Sequence, residues 1–200
     1  AASVDRVQAR PDPNRRITAI VLDDSGSMAA DINAAKQAVV DTLDAMAPTD
    51  QVAVIALNAG VVLPFMAVQD ARDPLIGALN GIWADGSTPL TGAMINAQSL
   101  LETEASQARG FGTFRMIVTT DGAADNPDAL NAAVETLAAT TPIQLTTIGI
   151  DISGGHVLRR SDLGHFVDVS NVAGLKDALQ AAVAENTDFT AITNFADIEG

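Results

Sequence analysis

Apolar and polar positions follow two alternating periods along this chain. Ile17 to Leu22 is an unbroken, almost wholly aliphatic run, which predicts a strand buried on both faces, of the kind found inside a parallel sheet. It stops at Asp23, and Asp24-Ser25-Gly26-Ser27 follow as a polar turn. The period then lengthens: Ile32, Ala35, Val39, Leu43 and Met46 recur at spacings of three or four, one helical face that Pro48 ends. Gln51 to Phe65 holds two β-branched runs around Asn58-Ala59-Gly60, a predicted hairpin whose second arm runs antiparallel, with Pro64 suited to an edge. Residues 71–82 give a weaker helical pattern, and a loop from Asp85 to Pro89 leads into a helix from about Leu90 to Ala105. Thr88, at the head of that helix, reads without any function as its N-cap, with Pro89 in the first position, a role compatible with offering its hydroxyl to a ligand. Phe114 to Thr120 is a second buried strand ending in a carboxylate, Asp121, followed by Gly122. A helix from Asn126 to Ala139, a strand from Ile143 to Ile150, a short strand from Phe166 to Val169 and a helix from Val172 to Ala184 complete the pattern.

Strand and helix alternate, with one hairpin inserted. That order predicts an α/β fold: a doubly wound, Rossmann-like, mostly parallel six-stranded sheet with one antiparallel edge strand and helices on both faces. The predicted domain covers residues 17–185. Residues 1–16 carry four Arg against two Asp, with Pro11 and Pro13, and read as an extended lead-in or linker. Residues 186–200 form a tail with apolar side chains at intervals (Phe189, Ile192, Phe195, Ile198) that the pattern does not place.

Composition narrows the function classes. With 48% hydrophobic residues in 200, the chain can fill one full core, and no apolar run approaches a membrane span. A net charge of -14 opposes nucleic-acid binding, which relies on Lys and Arg to neutralise phosphates, and favours cations. The absence of Cys removes disulfides, thiolate nucleophiles and thiolate metal sites. The Ala-Ala-Ser start and the lack of Cys fit an exported bacterial protein more than a cytoplasmic one.

In open α/β sheets, ligands bind in the crevice at the carboxyl ends of the strands. Asp23, Ser25 and Ser27 leave the first strand there, Thr88 belongs to a second loop, and Asp121 ends the second buried strand. Each offers a hard oxygen, the donor type that suits Mg²⁺ first, with Mn²⁺ or Ca²⁺ as alternatives. Taken alone, Asp-Ser-Gly-Ser reads equally well as a polar turn that caps the next helix.

Asp23-Asp24-Ser25-Gly26-Ser27, Thr88 and Asp121-Gly122 together resemble, in order, type and context, the metal-ion-dependent adhesion site of the von Willebrand factor type A domain family. The resemblance covers about residues 17–185. It implies a divalent ion held by Asp23, Ser25, Ser27, Thr88 and Asp121, with a protein partner supplying an Asp or Glu carboxylate to that ion. It also implies a binding domain, with no enzymatic activity, in which some relatives couple the site to sliding of the last helix. Asp24 fills the variable position of the motif and is expected to add a carboxylate beside the site. Asp31 sits where some relatives place part of an adjacent Ca²⁺ site, but Ala30 replaces the companion acid. Asp31 is therefore read as a favourable charge in the first turn of its helix.

Three rival readings remain at this level. One is a subunit of the same family that docks on an ATPase or chelatase assembly. Another is a haloacid-dehalogenase-like phosphotransferase with Asp23 as nucleophile, opposed by Ser25 at its second acid position and by Lys36 and Lys176 lying within helices. A serine hydrolase would need His156 or His165 as base and has no nucleophile elbow. Both His are expected as surface or capping residues. Trp83, close before Thr88, is either packing or the rim of a binding site.

Overall fold

The computed structural model describes residues 15–108 and 112–184, so most of the predicted lead-in and the whole 186–200 tail lie outside the described residues. Six strands form one sheet: β1 (Arg16–Leu22), β2 (Gln51–Ala56), β3 (Gly60–Ala67), β4 (Thr113–Thr120), β5 (Gln144–Ile150) and β6 (His165–Val169). The helices are α1 (Ile32–Thr42), α2 (Val68–Leu79), α3 (Leu90–Gln107), α4 (Pro127–Thr140) and α5 (Leu175–Ala184). Strand order is β3-β2-β1-β4-β5-β6, with every neighbouring pair parallel except β2 and β3. This is the predicted architecture, with the hairpin arm β3 as its antiparallel edge.

The central strand shows why the run at Ile17 is continuously apolar. Successive side chains of a strand point to opposite faces, and both faces of β1 are covered. Ile20 and Leu22 join Ala35, Val39, Leu75 and Leu179 of α1, α2 and α5 on one side. Ile17, Ala19 and Val21 pack with Leu90, Ala97, Leu130 and Val134 of α3 and α4 on the other. Each fully buried aliphatic side chain contributes on the order of 1.5–3 kcal/mol, so β1 anchors both halves of the core.

Several boundaries differ from the sequence pattern for local reasons. The α1 periodicity continues past Thr42 as a 3₁₀ turn, Leu43–Ala45, which keeps Leu43 and Met46 buried as the chain tightens toward Pro48. Helix α2 begins at Val68, ahead of the predicted 71. Its first amides are satisfied from outside the helix: Val68 N–H donates to Asp50 O (2.9 Å) and Gln69 N–H to Pro48 O (3.0 Å). The predicted last helix opens as a 3₁₀ turn, Val172–Gly174, before α5, with the Asn171 side chain accepting from Ala173 N–H at 3.0 Å. The end of α5 is tied to the sheet, where Arg115 Nη1 (2.8 Å) and Arg16 Nη1 (3.4 Å) both donate to Val183 O. Lys176 pairs with Asp41 of α1 at 2.9 Å. On β3, Pro64 has no N–H to donate, and the β2–β3 register shifts between Val52 and Val54 and again before Ile55.

Candidate metal centre

The strand order reverses between β1 and β4, and helices leave these two strands toward opposite faces, which opens a crevice at their carboxyl ends. Asp23 follows β1 and Asp121 follows β4, so the two acids face one another across it. Asp23 is fully buried. Its Oδ1 accepts from Ser25 N–H at 2.9 Å and its Oδ2 from Asp121 N–H at 3.3 Å, while its own N–H donates to Thr119 Oγ1 at 3.2 Å. The carboxylate thus holds the first loop and the β4 loop together.

The hydroxyls continue the arrangement. Ser25 Oγ lies 3.0 Å from Ser27 Oγ, and Ser27 donates to Asp121 Oδ1 at 2.8 Å. Burial pushes the Asp121 carboxyl above the ordinary aspartate range; the Ser27 hydroxyl opposes the shift, and the charges of Asp23 and Asp31 add to it. The site is a half-enclosed anionic point.

The loop of Thr88 is fastened to both others by its backbone. Asp85 N–H donates to Asp24 O (2.9 Å), Gly26 N–H to Gly86 O (3.1 Å) and Asp125 N–H to Thr88 O (3.1 Å). Thr88 N–H donates to Asp125 Oδ1 at 2.9 Å. Thr88 is not the N-cap of α3: Pro89 occupies that position, with no side-chain cap bond, and Leu90 is the first helical residue. The carbonyl of Thr88 accepts from Leu90 N–H at 2.8 Å, which draws the chain into a tight turn one residue later than the cap pattern implies.

Two expectations change. Asp24 does not add a carboxylate to the site, because it is 1% exposed and turned away from Asp23. Its Oδ1 accepts from Asn58 N–H (2.7 Å) and its Oδ2 from Ala59 N–H (3.0 Å), at the tip of the β2–β3 hairpin. Asp31 lies at the N-cap position of α1, one residue before the first turn, and makes no side-chain cap bond.

Sequence reasoning assigned no site role to His156. Its Nε2 lies 3.1 Å from Gly122 O and its Nδ1 accepts from Leu158 N–H at 3.1 Å, so the ring caps one turn and braces the loop beside Asp121. Burial holds its pKa below the ordinary value, with the positive charge of Arg159 adding to the effect and the Gly122 bond opposing it. His165 is exposed at the start of β6. Trp83 is 76% exposed, with Lys36 Nζ 5.7 Å from its ring centroid. Among the described residues no cluster of three or more acidic or imidazole side chains is placed to hold an ion, so any ion here would depend on hydroxyls as well as the two carboxylates.

A doubly wound sheet with Asp-x-Ser-x-Ser at its switch point defines the class: an α/β domain with an oxygen-lined crevice. The von Willebrand factor type A domain model matches residues 18–124, and the chain belongs to that family. A search of curated proteins gives no match. Among solved structures, the fold is similar to a von Willebrand factor type A protein from Catenulispora acidiphila, with 22% identity and a TM-score of 0.73, covering 86% of this chain and 42% of that one. It is also similar to the manganese-loaded TRAP protein of Plasmodium vivax (13% identity, TM-score 0.63, 86% and 74% covered). A third is the pilus adhesin SpaC of Lactobacillus rhamnosus GG (13%, 0.68, 84% and 30%). The chain spans less than half the length of the first and third of these. At these identities the likeness establishes the fold. No helix among the described residues is long and apolar enough to cross a membrane.

Proposed function

We propose that this domain binds one divalent cation through Asp23, Ser25, Ser27, Thr88 and Asp121 and uses it to recognise a carboxylate of a protein partner. The observation that carries the reading is the spacing of the oxygens. Adjacent ligands of an octahedral Mg²⁺ or Mn²⁺ at about 2.05 Å are about 2.9 Å apart, whereas Ca²⁺ distances require about 3.4 Å. Ser25 Oγ to Ser27 Oγ is 3.0 Å and Ser27 Oγ to Asp121 Oδ1 is 2.8 Å, hydrogen-bond contacts whose lengths also match the edge of the smaller ion's octahedron. The upward shift of Asp121, caused first by burial and added to by the charges of Asp23 and Asp31, is in keeping with the same reading, since a cation would stabilise the buried carboxylate.

With the hydroxyls of Ser25, Ser27 and Thr88 among the donors, a bound ion would keep much of its charge and offer a Lewis-acidic position for a partner's Asp or Glu. The chain's own contribution is to hold the oxygens in place: Asp23 by its two backbone hydrogen bonds, Ser27 and Asp121 by their mutual one. Manganese in the Plasmodium vivax protein and the adhesin role of SpaC are in keeping with this reading. The domain is proposed to be non-enzymatic. The Lys36 ammonium donates to Ile82 O and lies against Trp83, and Lys176 is paired with Asp41, so neither stands free to serve phosphoryl transfer at Asp23.

Calorimetric titration of Mg²⁺, Mn²⁺ and Ca²⁺ into chelator-stripped protein tests the ion. One saturable site, tighter for Mg²⁺ or Mn²⁺ than for Ca²⁺ and lost in Asp121→Ala, is expected; binding unchanged in the variant refutes it. Capture of peptides containing Asp or Glu in Mn²⁺ but not in EDTA tests the partner. Metal binding without any such capture would favour docking on a larger assembly through another surface.

A further inference from the structure

Asp24 sits inside the Asp-x-Ser-x-Ser segment, yet its carboxylate is turned to the β2–β3 hairpin. Its buried carboxylate accepts from Asn58 N–H, Ala59 N–H and, at 3.3 Å, Asn58 Nδ2. The same Asn58 amide donates to Ser87 O at 3.0 Å, one residue before Thr88. Asn58 therefore joins three segments: the first loop through Asp24, the hairpin by its own backbone, and the Thr88 loop through Ser87.

The Thr88 loop is shaped to receive it. Gly86 has φ +79°, and a Cβ there would lie 2.8 Å from Asn58 Oδ1, so the Asn58 amide rests directly on the bare Gly86 Cα. Gly86 O accepts from Gly26 N–H and Asp24 O from Asp85 N–H, which sew the same two loops together beside the amide. On its other side Thr88 is held by Asp125. Thr88 is thus fixed between two clamps, of which the Asn58 one is built on a buried charge, and hydrogen bonds to a charged acceptor are the stronger kind.

We propose that Asp24 and Asn58 are positioning residues: they hold the Thr88 loop against the Asp23 loop and so set the affinity of the ion site. The effect on affinity rests on the metal reading above; the clamp itself does not. Outer-shell partners that orient metal ligands are typically worth 10- to 100-fold in affinity.

The test is Asn58→Ala in the full chain, read in two ways. By hydrogen exchange in EDTA, the amides of Asp85 and Gly26, which bond across the two loops, and that of Thr88 should exchange faster while those of β1 and β4 stay protected. Unchanged exchange at those amides overturns the proposal. By titration with Mn²⁺, affinity should fall roughly tenfold. Thr88→Ala should then cost less in the Asn58→Ala background than in the wild type, because both changes act through the same ligand. Unchanged Mn²⁺ affinity, or strictly additive losses, would overturn the positioning role, since a general loss of stability predicts additivity. If the wild type binds no Mn²⁺, the metal reading and the affinity effect fall together, and the exchange result alone decides the clamp. Should Asn58→Ala fail to fold, Gly86→Ala disturbs the same contact from the opposite side, with the same expected signs.

Discussion

Asp23 and Asp121 are both proposed ligands of the ion, but their structural duties differ, and removing each should have opposite effects on the metal-free protein. Asp23 is fully buried and accepts two backbone amides, at 2.9 and 3.3 Å. In Asp23→Ala those amides lose their acceptor, at about 1–3 kcal/mol each. Relief of the repulsion with Asp121 offsets part of that, which leaves a loss of about 3 kcal/mol. For a domain of this size about 1 kcal/mol shifts Tm by roughly 2–4 °C, so Asp23→Ala should melt about 9 °C lower in EDTA. The Asp121 carboxylate accepts from the exposed Ser27 hydroxyl, and burial disfavours its charge where it stands. Asp121→Ala should therefore melt at or slightly above the wild type in EDTA. Addition of Mn²⁺ at about a hundredfold over Kd should stabilise the wild type by about 2.7 kcal/mol, roughly 8 °C, and neither variant. Trp83 fluorescence and circular dichroism melts, with and without Mn²⁺, read all of these values. An Asp121→Ala protein that still gains stability with Mn²⁺ would refute the site. An Asp23→Ala protein within about 2 °C of the wild type in EDTA would refute the assignment of a structural role to its two hydrogen bonds.

Acid should loosen the loop beside the site. The folded-state pKa of His156 is depressed, so the unfolded chain takes up the proton first, and stability should fall as pH drops from about 6.5 toward the lower folded value. Arg159 and the Phe166 ring, 6.0 Å from the imidazole, are the groups packed against it; a matched pH series of melts in EDTA should show a shallower decline in His156→Gln, and equal slopes would refute this. Trp83→Ala should leave Tm within about 1 °C, since the ring is 76% exposed, but should weaken capture of an acidic partner if the partner reaches this rim. Gly149→Ala places a Cβ 2.6 Å from Phe166 Cζ, and overpacking of this kind typically costs about 1–3 kcal/mol, visible as a lower denaturation midpoint. A midpoint equal to that of the wild type would mean that β5 and β6 pack differently.

The fold was legible because both periods are carried by side chains that meet the core. The run at Ile17, the face from Ile32 to Met46 and the hairpin around Gly60 each leave a pattern that burial alone dictates. Boundaries were less legible where backbone carbonyls from elsewhere do the capping, as Asp50 and Pro48 do for α2. Thr88 was misread as a cap because Thr-Pro before an apolar run is the common signature, and the tight turn through its carbonyl leaves no trace in residue type. Asp24 could have been read correctly. In an extended segment Asp23 and Ser25 share one side and Asp24 takes the other, so alternation already directs its carboxylate away from the site. The bracing by His156 of a loop 34 residues earlier in the chain had no local signal at all.

The outer strand of the hairpin bears on how such domains behave when crowded. A free sheet edge with a regular run of amides is a template on which a second molecule can extend the sheet. At β3 that run is broken by Pro64 and by the uneven spacing against β2, so an arriving strand would meet a ladder with missing rungs. Copies of the domain held close together, in tandem or side by side on a surface, are thereby hindered from zipping into one another along β3.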